Sequence, residues 1–246
     1  MAVIWGLDLK EIQWGKFKSA NMFDKQYHLR TTKMIVYQIA MILMVISESV
    51  GTAALSDYVD QQDGISTRNG GIVVQNNNII GTFSFNIFVG IAVATIFGSG
   101  FFFDLFWPER VESPGVRLAW KISAVVVSFM ALADQIASTV IVARYRAHIR
   151  GLTDAQAEPF FRQNGPPNPI YRHNAECVAS VVVGWPGVIA SFASAYIMWK
   201  SINHDEKFGP KSSKYVTNGG EAGMVENGTA MTGDVGERVV APDVTA

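Results

Sequence analysis

The chain has 246 residues, of which 49% are hydrophobic and only 17% carry a charge. A soluble domain usually has about a quarter of its residues charged, so this composition indicates contact with lipid. The formal net charge of −1 offers no general electrostatic attraction for nucleic acid, and no nucleic-acid partner is expected. The single cysteine, Cys177, excludes an internal disulfide bond.

The first 33 residues mix apolar side chains with lysines, and no cleavable signal peptide is expected in them. Trp5, Trp14 and Phe17 alternate with Lys10 and Lys16, a pattern typical of a segment that lies on an anionic membrane surface. A basic flank that only sets membrane topology is the alternative interpretation. In both cases this segment is expected to be cytoplasmic or interfacial.

Four apolar stretches follow, and each is long enough to cross a bilayer. About 20 residues of α-helix cover a hydrocarbon core of roughly 30 Å. The sequence therefore predicts an all-α integral membrane protein, in which residues 34–199 form an antiparallel bundle of four transmembrane helices. The predicted spans are Met34–Leu55, Ile79–Phe103, Ala119–Val142 and Cys177–Trp199.

The segments outside the spans are predicted to be irregular. The first outer loop, Ser56–Asn78, contains a possible short strand at Ile72–Val74. The second outer loop, Ala143–Glu176, contains three prolines and is expected to run extended before the fourth span. Residues 200–246 are polar and rich in glycine, and they are predicted to form a disordered cytoplasmic tail.

Basic residues near the ends of the spans predict the orientation, because they are enriched on the cytoplasmic side. We expect both termini to be cytoplasmic, in the plasma membrane or an endomembrane. Trp107, Trp120 and Trp199 lie at the proposed inner ends of three spans, as interfacial anchors do. The segment Arg144–Arg150 argues against this orientation, because it places three arginines outside. The supporting residues are Lys10, Lys16, Lys18, Lys25, Arg30, Lys33, Arg110, Arg117, Lys121, Lys200, Lys207, Lys211 and Lys214.

Two carboxylates lie deep within the spans, Glu48 in the first and Asp134 in the third. A charged side chain near the bilayer centre costs roughly 2.5–3.5 kcal/mol, so such residues usually face protein or water. Both acids lie at a similar depth, and we expect them to point toward each other. A proline in the fourth span should break that helix and free a carbonyl at the same level. The predicted polar layer consists of Glu48, Asn86, Asp134, Gln135, Ser138 and Pro186.

Three functions are compatible with this polar layer. It could hold the bundle together through hydrogen bonds between helices. It could line a hydrated cavity that binds a proton, a cation or a basic solute, as in carriers. A buried neutral carboxyl group could instead act as the general acid of a membrane enzyme. An enzyme should enclose a pocket that reaches both acids, whereas a scaffold should have a packed centre.

Small residues recur at four-residue spacing in two of the spans, which lets helices approach closely, within the chain or between chains. The second span has Gly90, Ala94 and Gly98, and the fourth has Gly187, Ser191 and Ala195. We therefore expect helix packing at these positions and consider a homo-oligomer or a contact with other membrane proteins. Such spacing is common in apolar helices and indicates no chemistry.

The sequence contains no pattern that predicts a cofactor, a metal site or a catalytic residue. The four histidines, His28, His148, His173 and His204, all lie outside the spans, so a haem within the bundle is excluded. His28 could approach His204 at the inner face, but such a pair is more often solvated than bound to a metal. We identify no phosphate-binding loop, nucleophile elbow or zinc motif.

The plan of four spans, a basic N-terminal flank and a polar tail resembles that of the MARVEL-like tetraspan membrane proteins. Within that group, an acidic residue in the third span, here Asp134, is similar to one feature of the plant Casparian-strip membrane proteins. The arginine of their first span is absent, and Glu48 is the ionisable residue deep in that span here. The plan also resembles uncharacterised four-span proteins of fungal genomes.

The resemblance implies a scaffold or a membrane-organising role. We therefore expect a non-enzymatic, multi-pass protein whose partners are the lipid bilayer and copies of itself or other membrane proteins. A small-solute or proton-coupled carrier that uses Glu48 and Asp134 is the first alternative. A membrane enzyme with a carboxylic general acid is the second.

Overall fold

The computed structural model of the protein describes residues 3–4 and 7–212. This part of the chain is mostly helical, and the prediction of four long apolar helices is confirmed. They are α2 (Arg30–Arg68), α3 (Asn77–Phe106), α4 (Pro114–Arg144) and α6 (Ala175–Phe208), each of which contains one predicted span. The predicted tail is helical as far as Phe208, and residues 213–246 lie outside the described part.

Helix α2 is 39 residues long and continues well into the segment predicted as the first outer loop. Its buried residues recur every three or four positions, which places them on one face of a helix. The stripe does not stop at the end of the apolar span, because Tyr58, Gln61 and Ile65 continue it and are buried. The loop prediction was therefore wrong for residues 56–68, where one side of the helix is buried although most of the segment's residues are polar.

Local sequence explains where the other long helices begin. At α4, the Ser113 side chain accepts a hydrogen bond from the backbone of Val116, and Pro114 occupies the first turn. At α6, the Asn174 side chain caps the helix in the same way. Helix α6 runs without interruption through Pro186, so the predicted break there is wrong.

The four long helices form a closed arrangement around a common core. Helix α2 packs against α3 and α6, and α4 packs against the same two helices, so α2 and α4 lie diagonally across the bundle. Large aliphatic and aromatic side chains fill the core, including Met44, Val93, Phe97 and Val188.

A second core closes the end of the bundle near the C-terminus of α2. Strand β3 (Val74–Gln75) pairs with β4 (His148–Ile149) in an antiparallel ladder. Helix α5 (Asp154–Asn164) then lies against α2, and its N-terminus has a capping box formed by Thr153 and Gln156. The second outer segment is therefore a small packed cap and contains more regular structure than its prolines predict.

The opposite end of the bundle is covered by the N-terminal segment. It contains the paired strands β1 (Val3–Ile4) and β2 (Leu7–Asp8) and the short helix α1 (Ser19–Met22). The Trp107 indole nitrogen donates a hydrogen bond to the Asp8 carbonyl oxygen at 2.9 Å, which ties the segment to the end of α3. The predicted contact of this segment with a membrane surface stays a prediction.

Candidate functional site

A buried hydrogen bond between an amide and a carboxylate lies at the centre of the bundle. The Asn86 amide nitrogen of α3 donates to an Asp134 carboxylate oxygen of α4 at 2.7 Å. Both side chains are buried, with 1% and 0% of their surface exposed. Each lies in the buried stripe of its helix, in a position that an apolar residue would usually fill.

Two oxygen atoms of this pair and a third from a serine one helical turn away have no hydrogen-bond partner among the described residues. They are the second carboxylate oxygen of Asp134, the side-chain carbonyl of Asn86 and the hydroxyl of Ser138. Ser138 follows Asp134 by one helical turn and is also buried. Buried polar atoms normally have hydrogen-bond partners, so these oxygens leave unused hydrogen-bonding capacity at the centre of the bundle.

Serine hydroxyls tie α2 to α6 at a neighbouring position. The Ser47 hydroxyl donates to the Ser180 carbonyl at 2.9 Å, and the Ser180 hydroxyl donates to the Ser47 carbonyl at 2.8 Å. This reciprocal pair satisfies both hydroxyl donors within the protein. It also fixes the register of the two helices.

Gln135 joins α4 to α6. Its amide nitrogen donates to the Val181 carbonyl at 2.6 Å. A β-carbon at Gly184 would lie only 2.7 Å from the Gln135 side-chain carbonyl carbon and 3.0 Å from the Ser47 hydroxyl. Glycine at this position therefore allows the polar side chains of α2 and α4 to meet the backbone of α6. The polar contacts thus go to the carbonyls of residues 180 and 181, six and five positions before Pro186, and not to the carbonyl four positions before it that the proline would free.

Glu48 lies apart from this group. Its side chain is half-buried and rests on Gly90 of α3, where an added β-carbon would lie 2.8 Å from the Glu48 β-carbon. Asp134 is instead paired with Asn86, and no hydrogen bond links the two acids within the described residues. No contact among the described residues supports the expectation that they face each other, which stays a prediction; Glu48 flanks the buried stripe of α2.

The small-residue positions mark close contacts among three helices. A β-carbon at Gly98 would lie 3.1 Å from the Met41 sulfur, and one at Gly187 would lie 2.7 Å from the Met44 sulfur. Ser191 and Ala195 are also buried, whereas Ala94 is only half-buried. Gly98 and Gly187 thus pack α3 and α6 against α2, so these two positions are occupied within the chain.

A network of ion pairs lies at the end of the bundle that the N-terminal segment covers. Asp104 accepts from the Lys33 ammonium at 2.9 Å and from the Arg110 guanidinium at 2.8 Å. Arg110 also pairs with Glu112. Arg30 is buried and donates to the carbonyls of Asp104 and Leu105 at the end of α3. The positive charge of Arg30 is favourable there because the C-terminus of a helix carries a partial negative charge.

From the sequence, the basic residues of this network were interpreted only as topology signals, and Asp104 was not predicted to be part of a site. A signal was present, because Asp104 directly follows the apolar run of the second span, while Lys33 directly precedes that of the first. In a bundle of neighbouring spans those two positions come to the same level. The ion pairs surround a cavity of about 220 Å³.

These features define a class: a helical protein with four apolar helices long enough to cross a membrane, joined by buried polar contacts. No protein-family model, curated protein or solved structure matches the chain.

Proposed function

We propose that the protein is an integral, multi-pass membrane protein whose four long helices form an antiparallel bundle. The contacts between α2 and α3 support this arrangement, because residue numbers fall along one helix as they rise along the other. Gly90 contacts Glu48, Gly98 contacts Met41, and Gly100 contacts Tyr37.

The outward faces of the helices support placement in a bilayer. On every long helix, large apolar side chains point away from the core of the bundle, as expected where lipid replaces water. Soluble monomers rarely expose so much contiguous apolar surface. The side chains that are at least 45% exposed include Ile39, Ile42, Phe88, Ile91, Phe129, Ile136, Val182 and Ile189.

Within this membrane protein, we propose that the polar layer holds the bundle together and that the role is that of a scaffold. The observation that carries this proposal is the packed centre, where Ser47, Ser180, Asn86, Asp134 and Gln135 bind one another or the backbone. A catalytic or transport site should reach the acids through a pocket. The 220 Å³ cavity is lined by neither Glu48 nor Asp134.

As a scaffold, the protein would associate with copies of itself or with other membrane proteins. The apolar outer faces of the helices are the available surface for that contact, because Gly98 and Gly187 are already covered by Met41 and Met44. Kinship with the MARVEL-like tetraspan proteins and cytoplasmic placement of both termini belong to this proposal. The basic flanks of the first span and of α4 support that orientation.

A carrier is the second candidate, and one observation favours it. The three oxygens of Asn86, Asp134 and Ser138 that lack partners among the described residues could bind a proton or a small cation. In this version Glu48 takes no direct part, since it lies over Gly90 instead.

Two measurements on one variant separate these functions. The wild type and Asp134→Asn are compared for self-association by stepwise photobleaching of a fluorescent fusion in native membranes. They are also compared for proton or Na⁺ flux in sealed liposomes. The scaffold proposal expects oligomers for both proteins and no flux for either. A flux present in the wild type and lost in a folded Asp134→Asn would reject it in favour of the carrier.

A further inference from the structure

The cavity at the covered end of the bundle has a wall of mixed charge. It lies between the start of α2, the end of α3, the link between α3 and α4, the start of α4 and the end of α6. Four basic and four acidic side chains line it, so their formal charges cancel. A wall without net charge attracts neither an anion nor a cation at long range.

Most of these charges already have partners inside the protein. Lys33 and Arg110 are bound to Asp104, Arg110 also binds Glu112, and Arg30 is bound to carbonyls at the end of α3. Because these groups are already bound to one another or to the backbone, they have little capacity for a ligand.

Three charged side chains on the wall are less committed: Arg117, Glu109 and Asp205, whose contacts with the Ser201 hydroxyl and the His204 ring are both 3.5 Å long. The side chain of Arg117, in the first turn of α4, makes no hydrogen bond or ion pair with the described residues. Glu109 has a side chain that is 57% exposed, and its contacts are long, at 3.4 Å from the Tyr27 hydroxyl and 3.7 Å from the Lys211 ammonium. Among the described residues, the cavity therefore offers one cation without a side-chain partner and two weakly held anions, of which Glu109 is the more exposed.

The remaining lining is aromatic or apolar. Tyr37, Gly100 and Met198 form a floor that continues into the bundle core, and Trp120 and Tyr27 lie on the wall. An aromatic face beside a carboxylate suits an ammonium group, because the ring attracts cations. An arginine at the positive end of a helix suits a phosphate.

The level of the cavity in the proposed membrane further restricts the kinds of ligand that could reach it. Trp120 lines it, and Trp107 and Trp199 lie at the same ends of the helices, a pattern typical of the headgroup region. We propose that this cavity binds the headgroup of a zwitterionic phospholipid, with its phosphate at Arg117 and its ammonium at Glu109. The inference rests on the proposed placement in a bilayer and not on the scaffold role.

Native mass spectrometry of the full chain tests this site. The delipidated protein in a non-ionic detergent is offered equal amounts of phosphatidylcholine, phosphatidylethanolamine and phosphatidylglycerol. We expect the two zwitterionic lipids to be retained in preference to phosphatidylglycerol. Arg117→Gln should weaken their retention on the order of tenfold, because a charge-assisted hydrogen bond is lost. Equal retention by wild type and Arg117→Gln, or a wild-type preference for phosphatidylglycerol, would overturn the proposal.

Two further variants sharpen the result. Arg144→Gln removes an exposed arginine from the opposite end of the same helix and should leave lipid retention unchanged. Glu109→Gln should shift the preference toward phosphatidylglycerol, because the cavity then carries a net positive charge. An unchanged preference in Glu109→Gln would overturn the assignment of the ammonium. Elution as a single folded species in size-exclusion chromatography is required of each variant before comparison.

A soluble competitor distinguishes a lipid from a free headgroup. Glycerophosphocholine should displace the lipid only at much higher concentration, since it lacks the chains that would contact the apolar floor. Displacement at equal concentration would overturn the assignment to a lipid, and equal displacement by glycerol phosphate would overturn recognition of the ammonium. Loss of the protein from membranes in alkaline carbonate would reject the bilayer placement instead, independently of the lipid result.

Discussion

Asn86 and Asp134 are 48 residues apart in the chain, yet the amide nitrogen of the first lies 2.7 Å from a carboxylate oxygen of the second. The contact joins α3 to α4 at a point where both side chains are buried. Apolar residues would pack there without a desolvation cost. The polar pair therefore contributes specificity of register more than net stability.

Replacement of Asp134 separates hydrogen bonding from charge. Asp134→Asn keeps an acceptor for the Asn86 amide, so we expect a folded protein close to wild-type stability. Asp134→Leu leaves that amide buried without a partner, which should cost about 1–3 kcal/mol. Thermal unfolding in detergent, followed by circular dichroism, measures both. A leucine variant as stable as the wild type would show that the contact has no structural role.

Gly184 is predicted to be intolerant of even one methyl group. In Gly184→Ala the new β-carbon would lie 2.7 Å from the side-chain carbonyl carbon of Gln135, and the resulting repacking should cost about 1–3 kcal/mol. Gly81→Ala is the matched control, because no atom lies within 4 Å of a β-carbon there. It should gain about 0.5–1 kcal/mol through reduced backbone entropy of the unfolded chain. The same stability for both variants would contradict the described packing.

The ion pairs at the covered end of the bundle should be sensitive to loss of their acid. Asp104→Asn leaves Lys33 and Arg110 without their shared carboxylate, which should cost about 3 kcal/mol because these groups are largely buried. Glu11→Gln breaks the more solvent-accessible ion pair with Lys16 and should cost less than about 1 kcal/mol. Chemical denaturation in detergent measures the difference, and equal small effects would show that the network is solvated.

His28 gives the stability a predictable pH dependence. Its ring stacks on that of His204, with centroids 3.6 Å apart, and burial together with the nearby His204, Lys33 and Lys200 lowers the pKa of His28 to about 4. In the unfolded chain His28 has the ordinary pKa of about 6.5, so as the pH falls the unfolded chain binds a proton at His28 before the folded protein does. The contribution of neutral His28 to the free energy of unfolding is therefore complete above about pH 6.5 and is lost as the pH falls toward 4.

The measurement is thermal stability between pH 4 and 7.5 for wild type and His28→Gln. We expect the wild type to lose stability with falling pH more steeply than the variant over the window from about 6.5 to 4. Parallel curves would mean that His28 is already solvated in the folded protein. His173→Gln, which changes a histidine at the other end of the bundle, is the control and should follow the wild-type curve.

The sequence was sufficient to predict the four long helices, because apolar runs of about 20 residues are a strong and local signal. Their true ends were harder to predict. Tyr58, Gln61 and Ile65 extend α2 through a polar segment in which only one side of the helix is buried. A hydropathy average over a window does not register such one-sided burial. The same holds for α5, whose buried residues are Ala157 and Phe161 alone.

The polar side chains could be predicted as a set but not as pairs. Depth along each span correctly placed Asn86 and Asp134 at one level, but it gave no information on the direction in which each side chain points. Glu48 flanks the buried stripe of α2 and therefore meets Gly90. Helical phase relative to Met44, Ser47 and Gly51, the buried residues around it, would have shown this displacement.

A double-mutant cycle between Asn86 and Asp134 measures whether their buried hydrogen bond contributes to holding α3 against α4. The free energy of unfolding is measured in detergent for the wild type, Asn86→Leu, Asp134→Leu and the double variant. We expect a favourable coupling of about 0.6 kcal/mol, with an upper limit near 1.7 kcal/mol, as found for hydrogen bonds between membrane helices. A coupling of zero within error would contradict this expectation, because the two side chains would then contribute to folding independently.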